Sequence, residues 1–248
     1  MRVAQSLLIL LMITTSLFGL TAGEKLTFDI KYGVITAGSA TLELKENLYN
    51  GRPVWEISST ASTNSFFDTF FKVRDKIESV WDKERHISYK FTKDLKEGNY
   101  KQLRIHTYYP EENYTIYSKY VYKKNAFNQE RITIPPNTQD IFSAFYYTRL
   151  QDLTIGKPLQ IKVTTDGKNY TAQVHAIKKE KIKTIFGEIN CIKIKPDLVG
   201  EAIFKQSGDI FIWITDDKEK IPVLLESKVV FGSFKAVLVK AENVSLKK

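Results

Sequence analysis

The chain has one cysteine, Cys191, and only three histidines and two methionines in 248 residues. A single cysteine excludes an intrachain disulfide. The core therefore has to rest on packed side chains alone, for which the chain is long enough. His86, His106 and His175 stand apart, with no second His or Cys at metal-ligand spacing. No Gly-x-Ser-x-Gly elbow, phosphate loop or dinucleotide fingerprint is present. These absences point away from an enzyme, and no catalytic, metal-binding or cofactor-binding residue is assigned. The nearest thing to a carboxylate pair is Asp216-Asp217, after Trp213-Ile214-Thr215. Adjacent carboxylates can raise one another's pKa, but neighbours at a strand end usually make a turn. A polysaccharide-acting hydrolase would need one of them to face another carboxylate across a cleft.

Long apolar runs are also missing after the first 20 residues, so the mature chain is not expected to span a membrane as a helix. The start of the chain is different. Arg2 precedes an apolar stretch from Leu7 to Leu20, which ends in Thr21-Ala22-Gly23. Positive start, apolar middle and small-residue exit describe a secretory signal. We expect cleavage after Gly23, or after Ala22, and a periplasmic product. Residues 1–23 are then the signal peptide and residues 24–248 a single β-rich domain. No cysteine lies at the exit, so the mature N-terminus cannot carry a thiol-linked lipid.

The net charge is +9. The excess is mostly Lys, scattered through strand-like segments and mixed with acids, as in Lys178-Lys179-Glu180-Lys181. No nucleic-acid recognition module is visible, and an exported chain has little occasion to meet nucleic acid. A mildly basic surface favours solubility and, beyond that, anionic lipid headgroups or acidic polysaccharide.

Period-two alternation dominates the rest. Leu26, Phe28, Ile30 and Tyr32 give one apolar face; Ala40, Leu42 and Leu44 give the next. Gly33 and Thr36-Ala37-Gly38 are expected to turn the chain between them. Asn50-Gly51 is a strong hairpin signal, because both residues tolerate positive φ. Strands are predicted over 54–61, 72–81, 86–92, 101–109, 114–123, 159–165, 170–177, 188–195, 201–206, 209–215, 222–231 and 234–244. One main helix is predicted over 138–150. Ile141, Phe142, Phe145 and Tyr146 fall at helical spacing there, Asn137 or Thr138 is placed to cap it, and Asp140 and Arg149 suit its dipole. A shorter helical turn is predicted near residues 65–71, where Phe66, Phe67, Phe70 and Phe71 cluster. The fold class is therefore mainly β: a curved antiparallel sheet forming an open barrel or half-barrel, covered by one main helix.

Four motifs follow one another in order: Gly33-Val34-Ile35-Thr36-Ala37-Gly38, Asp140-Ile141-Phe142-Ser143-Ala144-Phe145-Tyr146-Tyr147-Thr148-Arg149, Trp213-Ile214-Thr215-Asp216-Asp217 with Ile221-Pro222, and Gly232-Ser233-Phe234-Lys235-Ala236-Val237-Leu238. The chain in this respect resembles bacterial exported domain-of-unknown-function family 3108 over nearly its whole mature length. Thr148 stands where the family more often has Leu. The resemblance implies an envelope protein with an antiparallel β fold, and brings no catalytic residues. The leading functional expectation is a non-enzymatic binding or carrier domain for a lipid or other amphipathic envelope component. Phe66, Phe67, Phe70, Phe142, Phe145 and Tyr146 are the candidate lining residues, although any of them also suits an ordinary core. The alternative is an assembly factor that pairs with another envelope protein through exposed strand edges.

Overall fold

The computed structural model describes residues 19–199, 209–229 and 232–245. Most of the expected signal peptide and the strand expected over 201–206 lie outside the described residues. In chain order the strands are β1 (Lys25–Tyr32), β2 (Ile35–Tyr49), β3 (Arg52–Thr63), β4 (Arg74–Asp82), β5 (Ser88–Glu97), β6 (Tyr100–Tyr109), β7 (Tyr114–Val121), β8 (Ala126–Thr133), β9 (Leu159–Thr165), β10 (Lys168–Thr184), β11 (Gly187–Val199), β12 (Ile210–Thr215), β13 (Pro222–Val229) and β14 (Gly232–Glu242). Helix α1 (Ser65–Asp68) lies between β3 and β4, and α2 (Ile141–Arg149) between β8 and β9. Among the described residues, no helix is long and apolar enough to cross a membrane.

The fourteen strands among the described residues form one antiparallel sheet, ordered β8-β7-β6-β5-β4-β3-β2-β1-β14-β13-β12-β11-β10-β9. Neighbours in the sheet are neighbours in the chain, except where β1 pairs with β14. The two edge strands, β8 and β9, are consecutive in sequence. The segment that joins them carries α2, so the helix belongs to the gap of an unclosed barrel. Side chains draw the edges together there. Tyr108 Oη donates to the Thr164 carbonyl at 2.8 Å, and Asn169 Nδ2 to the Thr133 carbonyl at 2.8 Å. Ahead of α2, Gln139 runs parallel to β9: its N–H donates to the Lys162 carbonyl, and its carbonyl accepts from Thr164, both at 2.8 Å.

Turn chemistry follows the sequence. Asn50 and Gly51 take φ of 50° and 77°, and Asp166 and Gly167 take 47° and 83°, which L residues other than Asn and Asp adopt at a cost. One expected turn is corrected. Only Gly33-Val34 turns, while Thr36-Ala37-Gly38 already belong to β2. Gly38 is needed there for space: a Cβ would stand 2.1 Å from the Ser62 carbonyl oxygen of β3. Strand β8 was not expected. Its sequence, AFNQERIT, is exposed at every position except Ile132, so it shows no buried face to read.

The N-terminal end of the described chain is packed. Leu20 is buried with Leu44, Trp55, Ile57, Trp81 and Tyr146. The Gly23 N–H donates to the Leu44 carbonyl at 2.9 Å, and Asn243 Nδ2 donates to the Gly23 carbonyl at 2.8 Å. Cleavage after Gly23 or Ala22 would therefore take Leu20 out of that core.

Candidate functional site: an apolar cavity beneath the main helix

Helix α2 begins later than its apolar spacing suggests. Gln139 is paired with β9, and neither Asn137 nor Thr138 is the cap. Asp140 is the N-cap, accepting from the N–H groups of Phe142 at 2.8 Å and Ser143 at 2.9 Å, while Ser143 Oγ accepts from the Asp140 N–H. This reciprocal box satisfies donors that a helix start leaves open. Asp140 is fully buried, and its second oxygen accepts from Ser79 Oγ of β4 at 2.7 Å and Ser88 Oγ of β5 at 2.8 Å. Burial raises its pKa, and these hydrogen bonds to the carboxylate work against that rise.

Arg149 was expected only to complement the helix dipole. It is instead fully buried and forms a bidentate pair with Glu24, both N···O distances being 2.7 Å. Its Nε and Nη2 also donate to the Glu219 carbonyl, at 3.1 and 2.9 Å. Helix α2 is thus pinned at one end to β4 and β5, and at the other to the start of β1 and the loop before β13.

Between these pins, α2 and the concave face of the sheet border a partly open cavity of about 390 Å³. Phe142, Phe145 and Tyr146 line it from the helix, as do Ile141 and Ala144. Strands β9 to β12 supply Ile161, Val163, Ala172, Val174, Ile194 and Ile212. The alternation in those strands could have shown that these residues point inward; it could not have shown that they face α2. Ala144 and Ala172 are the small residues that leave room on opposing walls. No carboxylate, imidazole or amine stands among the described lining residues. Volumes of roughly 300–1,000 Å³ are usual for ligand pockets, and an apolar lining keeps such a space dry.

Phe66, Phe67 and Phe70 do not line the cavity. They sit on α1, a single turn in the connection from β3 to β4, and a rim connection does not reach the concave face. Phe66 and Phe70 are 65% and 73% exposed, with ring centroids 5.5 Å apart. Asn64 caps α1 and donates from Nδ2 to the Thr36 carbonyl, which ties this turn to the start of β2.

The other sequence candidates take structural places. Asp217 Oδ1 accepts from Thr215 Oγ1 and from the N–H groups of Glu219 and Lys220, and Asp216 pairs with Lys179 at 2.8 Å. Both acids are exposed at a turn, so they lack the opposed geometry that acid–base work requires. Cys191 is buried in the core, and burial pushes its thiol up to about 11, far from a reactive thiolate. His106 is fully buried on β6. Gly167 N–H donates to its Nε2, so its proton sits on Nδ1 and points at Thr115 Oγ1, whose hydroxyl donates in turn to the Thr107 carbonyl. Burial holds this imidazole down at about 4.

No curated protein matches the chain. Among solved structures, a β-barrel-like protein of domain of unknown function DUF1849 from Brucella abortus superposes with a TM-score of 0.61, over 91% of this chain and 99% of its own. At 10% identity that likeness is one of fold. The family model described as a protein of unknown function, DUF3108, matches residues 27–239, and the chain belongs to that family.

Proposed function

We propose that the protein is an exported, non-enzymatic carrier that holds an apolar or amphipathic envelope component in the cavity beneath α2. The observation that carries this reading is a cavity of about 390 Å³ whose described lining is almost wholly hydrocarbon. Each methylene moved from water into such a space gains about 0.8 kcal/mol. An acyl or isoprenoid chain would therefore bind without any specific polar contact. The reading also accounts for α2 being fixed at both ends: a roof held by Asp140 and Arg149 keeps the space open when it is empty. Export rests on the signal-like start of the chain.

The test is extraction and mass spectrometry of protein isolated from its native envelope, paired with displacement of the fluorescent apolar probe N-phenyl-1-naphthylamine. The wild-type protein should carry a hydrophobic molecule and bind the probe. Ala172→Phe, which fills the space from β10, should weaken probe binding at least tenfold while the chain stays folded by circular dichroism. Probe binding unchanged in that variant, or native protein free of hydrophobic cargo, would count against the carrier. N-terminal sequencing of the same material checks export and tells whether Leu20 is retained.

A further inference from the structure

A second concavity lies on the other half of the sheet, and its chemistry is the opposite. The register places Lys93 of β5 beside Arg104 of β6, Arg104 beside Lys119 of β7, and Lys119 beside Asn128 of β8. Three cations therefore stand side by side in one row. Arg104 and Lys119 share a face with His106 and Tyr108, both buried, so this row lies on the inner face of the sheet, half-buried at Lys93 and Arg104 and exposed at Lys119. Like charges directly opposite one another destabilise a sheet, and nothing in the fold requires them here.

Their compensation is incomplete. Lys93 pairs with Asp166, from the turn between β9 and β10, at 2.6 Å. Arg104 and Lys119 have no ion pair among the described residues. Arg104 Nε is shut off from solvent without a hydrogen-bond partner, and so is Gln102 Oε1. The two side chains that carry them line a pocket of about 490 Å³, together with Lys119, Asn128, Glu130 and Asp166. Buried polar atoms without partners cost about 1–3 kcal/mol each, so two of them on one pocket mark a site that is completed by something else.

The two orphans specify what that is. An unsatisfied guanidinium donor beside an ammonium asks for an anion, and Arg with Lys is a usual phosphate-binding combination. An unsatisfied amide oxygen, with the Glu130 carboxylate on the same pocket, asks for hydroxyl donors. We infer that this pocket binds an anionic polyol, a phosphate ester on a hydroxylated carbon skeleton, with the phosphate between Arg104 and Lys119 and the hydroxyls on Gln102 and Glu130. This site is separate from the apolar cavity and stands whether or not that cavity holds cargo. The chemistry fits a glycerophospholipid headgroup and a free sugar or glycerol phosphate alike.

Isothermal titration of the folded protein with glycerol 3-phosphate, and in parallel with dihexanoyl phosphatidylglycerol below its micelle concentration, tests the inference. Binding of glycerol 3-phosphate supports it and identifies a soluble polyol phosphate as sufficient. Binding of the lipid alone supports it with a lipid headgroup as the source, provided that Arg104→Gln abolishes it. In either arm, Arg104→Gln and Lys119→Gln should each weaken binding at least tenfold, and Arg104→Lys should weaken it less. Lys178→Gln, on the exposed part of β10, should change nothing. Thermal melts confirm that the variants fold; the Glu130→Gln variant provides a second reading, losing affinity for the polyol phosphate but not for inorganic phosphate. Absence of binding to either probe at millimolar concentration, or binding indifferent to Arg104 and Lys119, would overturn the inference.

Discussion

Strands β9–β12 and strands β5–β8 belong to one sheet and obey the same alternation, yet their inward positions carry opposite chemistry. The first set turns Ile161, Val163, Ala172, Val174, Ile194 and Ile212 toward the barrel interior. The second turns Lys93, Arg104, His106 and Lys119 the same way. A wall separates the linings: Phe91, Tyr108 and Ile134 pack together with Phe142 of α2 against them. The difference shows that the period-two pattern sets which residues face inward and leaves their polarity free. A sheet that curls upon itself can therefore keep a dry compartment and a wet one under one roof.

The largest expected effect comes from removing the pin on the dry side. Arg149→Met strands the Glu24 carboxylate in the core and should cost about 3–5 kcal/mol, read as a lowered urea midpoint. Adding Glu24→Leu should restore a large part of that, because the buried charge is then gone. Trp55, Trp81 and Trp213 report on the dry side and its surroundings, while the tyrosines of β6 and β7 report on the wet side. If tryptophan and tyrosine signals lose structure at the same denaturant concentration, the two linings form one cooperative unit. Separate transitions would divide the sheet into two.

The next effect belongs to the wet side and depends on pH. The folded chain holds His106 at about 4, against an ordinary value near 6.5. A base with a depressed folded pKa destabilises the fold as pH drops, because the unfolded chain takes up a proton that the folded one refuses. Stability attributable to His106 should be intact above pH 6.5 and fall by about 3 kcal/mol on the way to pH 4. The check is the difference in urea stability between wild type and His106→Gln across that window. A difference that does not vary with pH would show that the imidazole is not buried from water.

The smallest effect tests the wall. Phe142 is half-buried, and Phe142→Ala should cost about 2 kcal/mol, less than a fully buried Phe. It should also enlarge the apolar space, so a probe too bulky for the wild type should bind. If the variant loses stability but accepts no larger probe, the wall has closed over the gap.

Much of the fold was legible because turns and alternation are local. Asn50-Gly51 and Asp166-Gly167 turn where their chemistry demands, and most strands follow the apolar pattern. The aromatic runs were less legible. Ser65-Phe66-Phe67-Asp68 and Ile141-Phe142-Ser143-Ala144-Phe145-Tyr146 look alike in spacing. One lies on a rim turn and the other on a roof, because only the second continues for more than two turns and is joined to both sheet edges. Helix α2 also started three residues late, since Gln139 bonds to β9 in preference to the helix. The row Lys93, Arg104, Lys119 was invisible, because it exists only once the register of three strands is known. Arg149 and Glu24, 125 positions apart, are coupled by the same long-range logic.

The pairing of β1 with β14 has a consequence in time. The first described strand sits in the middle of the sheet, and one of its two neighbours is the last described strand, more than 200 residues later. A chain made N-terminus first cannot finish its central ladder until β14 arrives. Contacts of such high sequence separation slow folding, and they leave the interval of synthesis to a chain without its complete sheet.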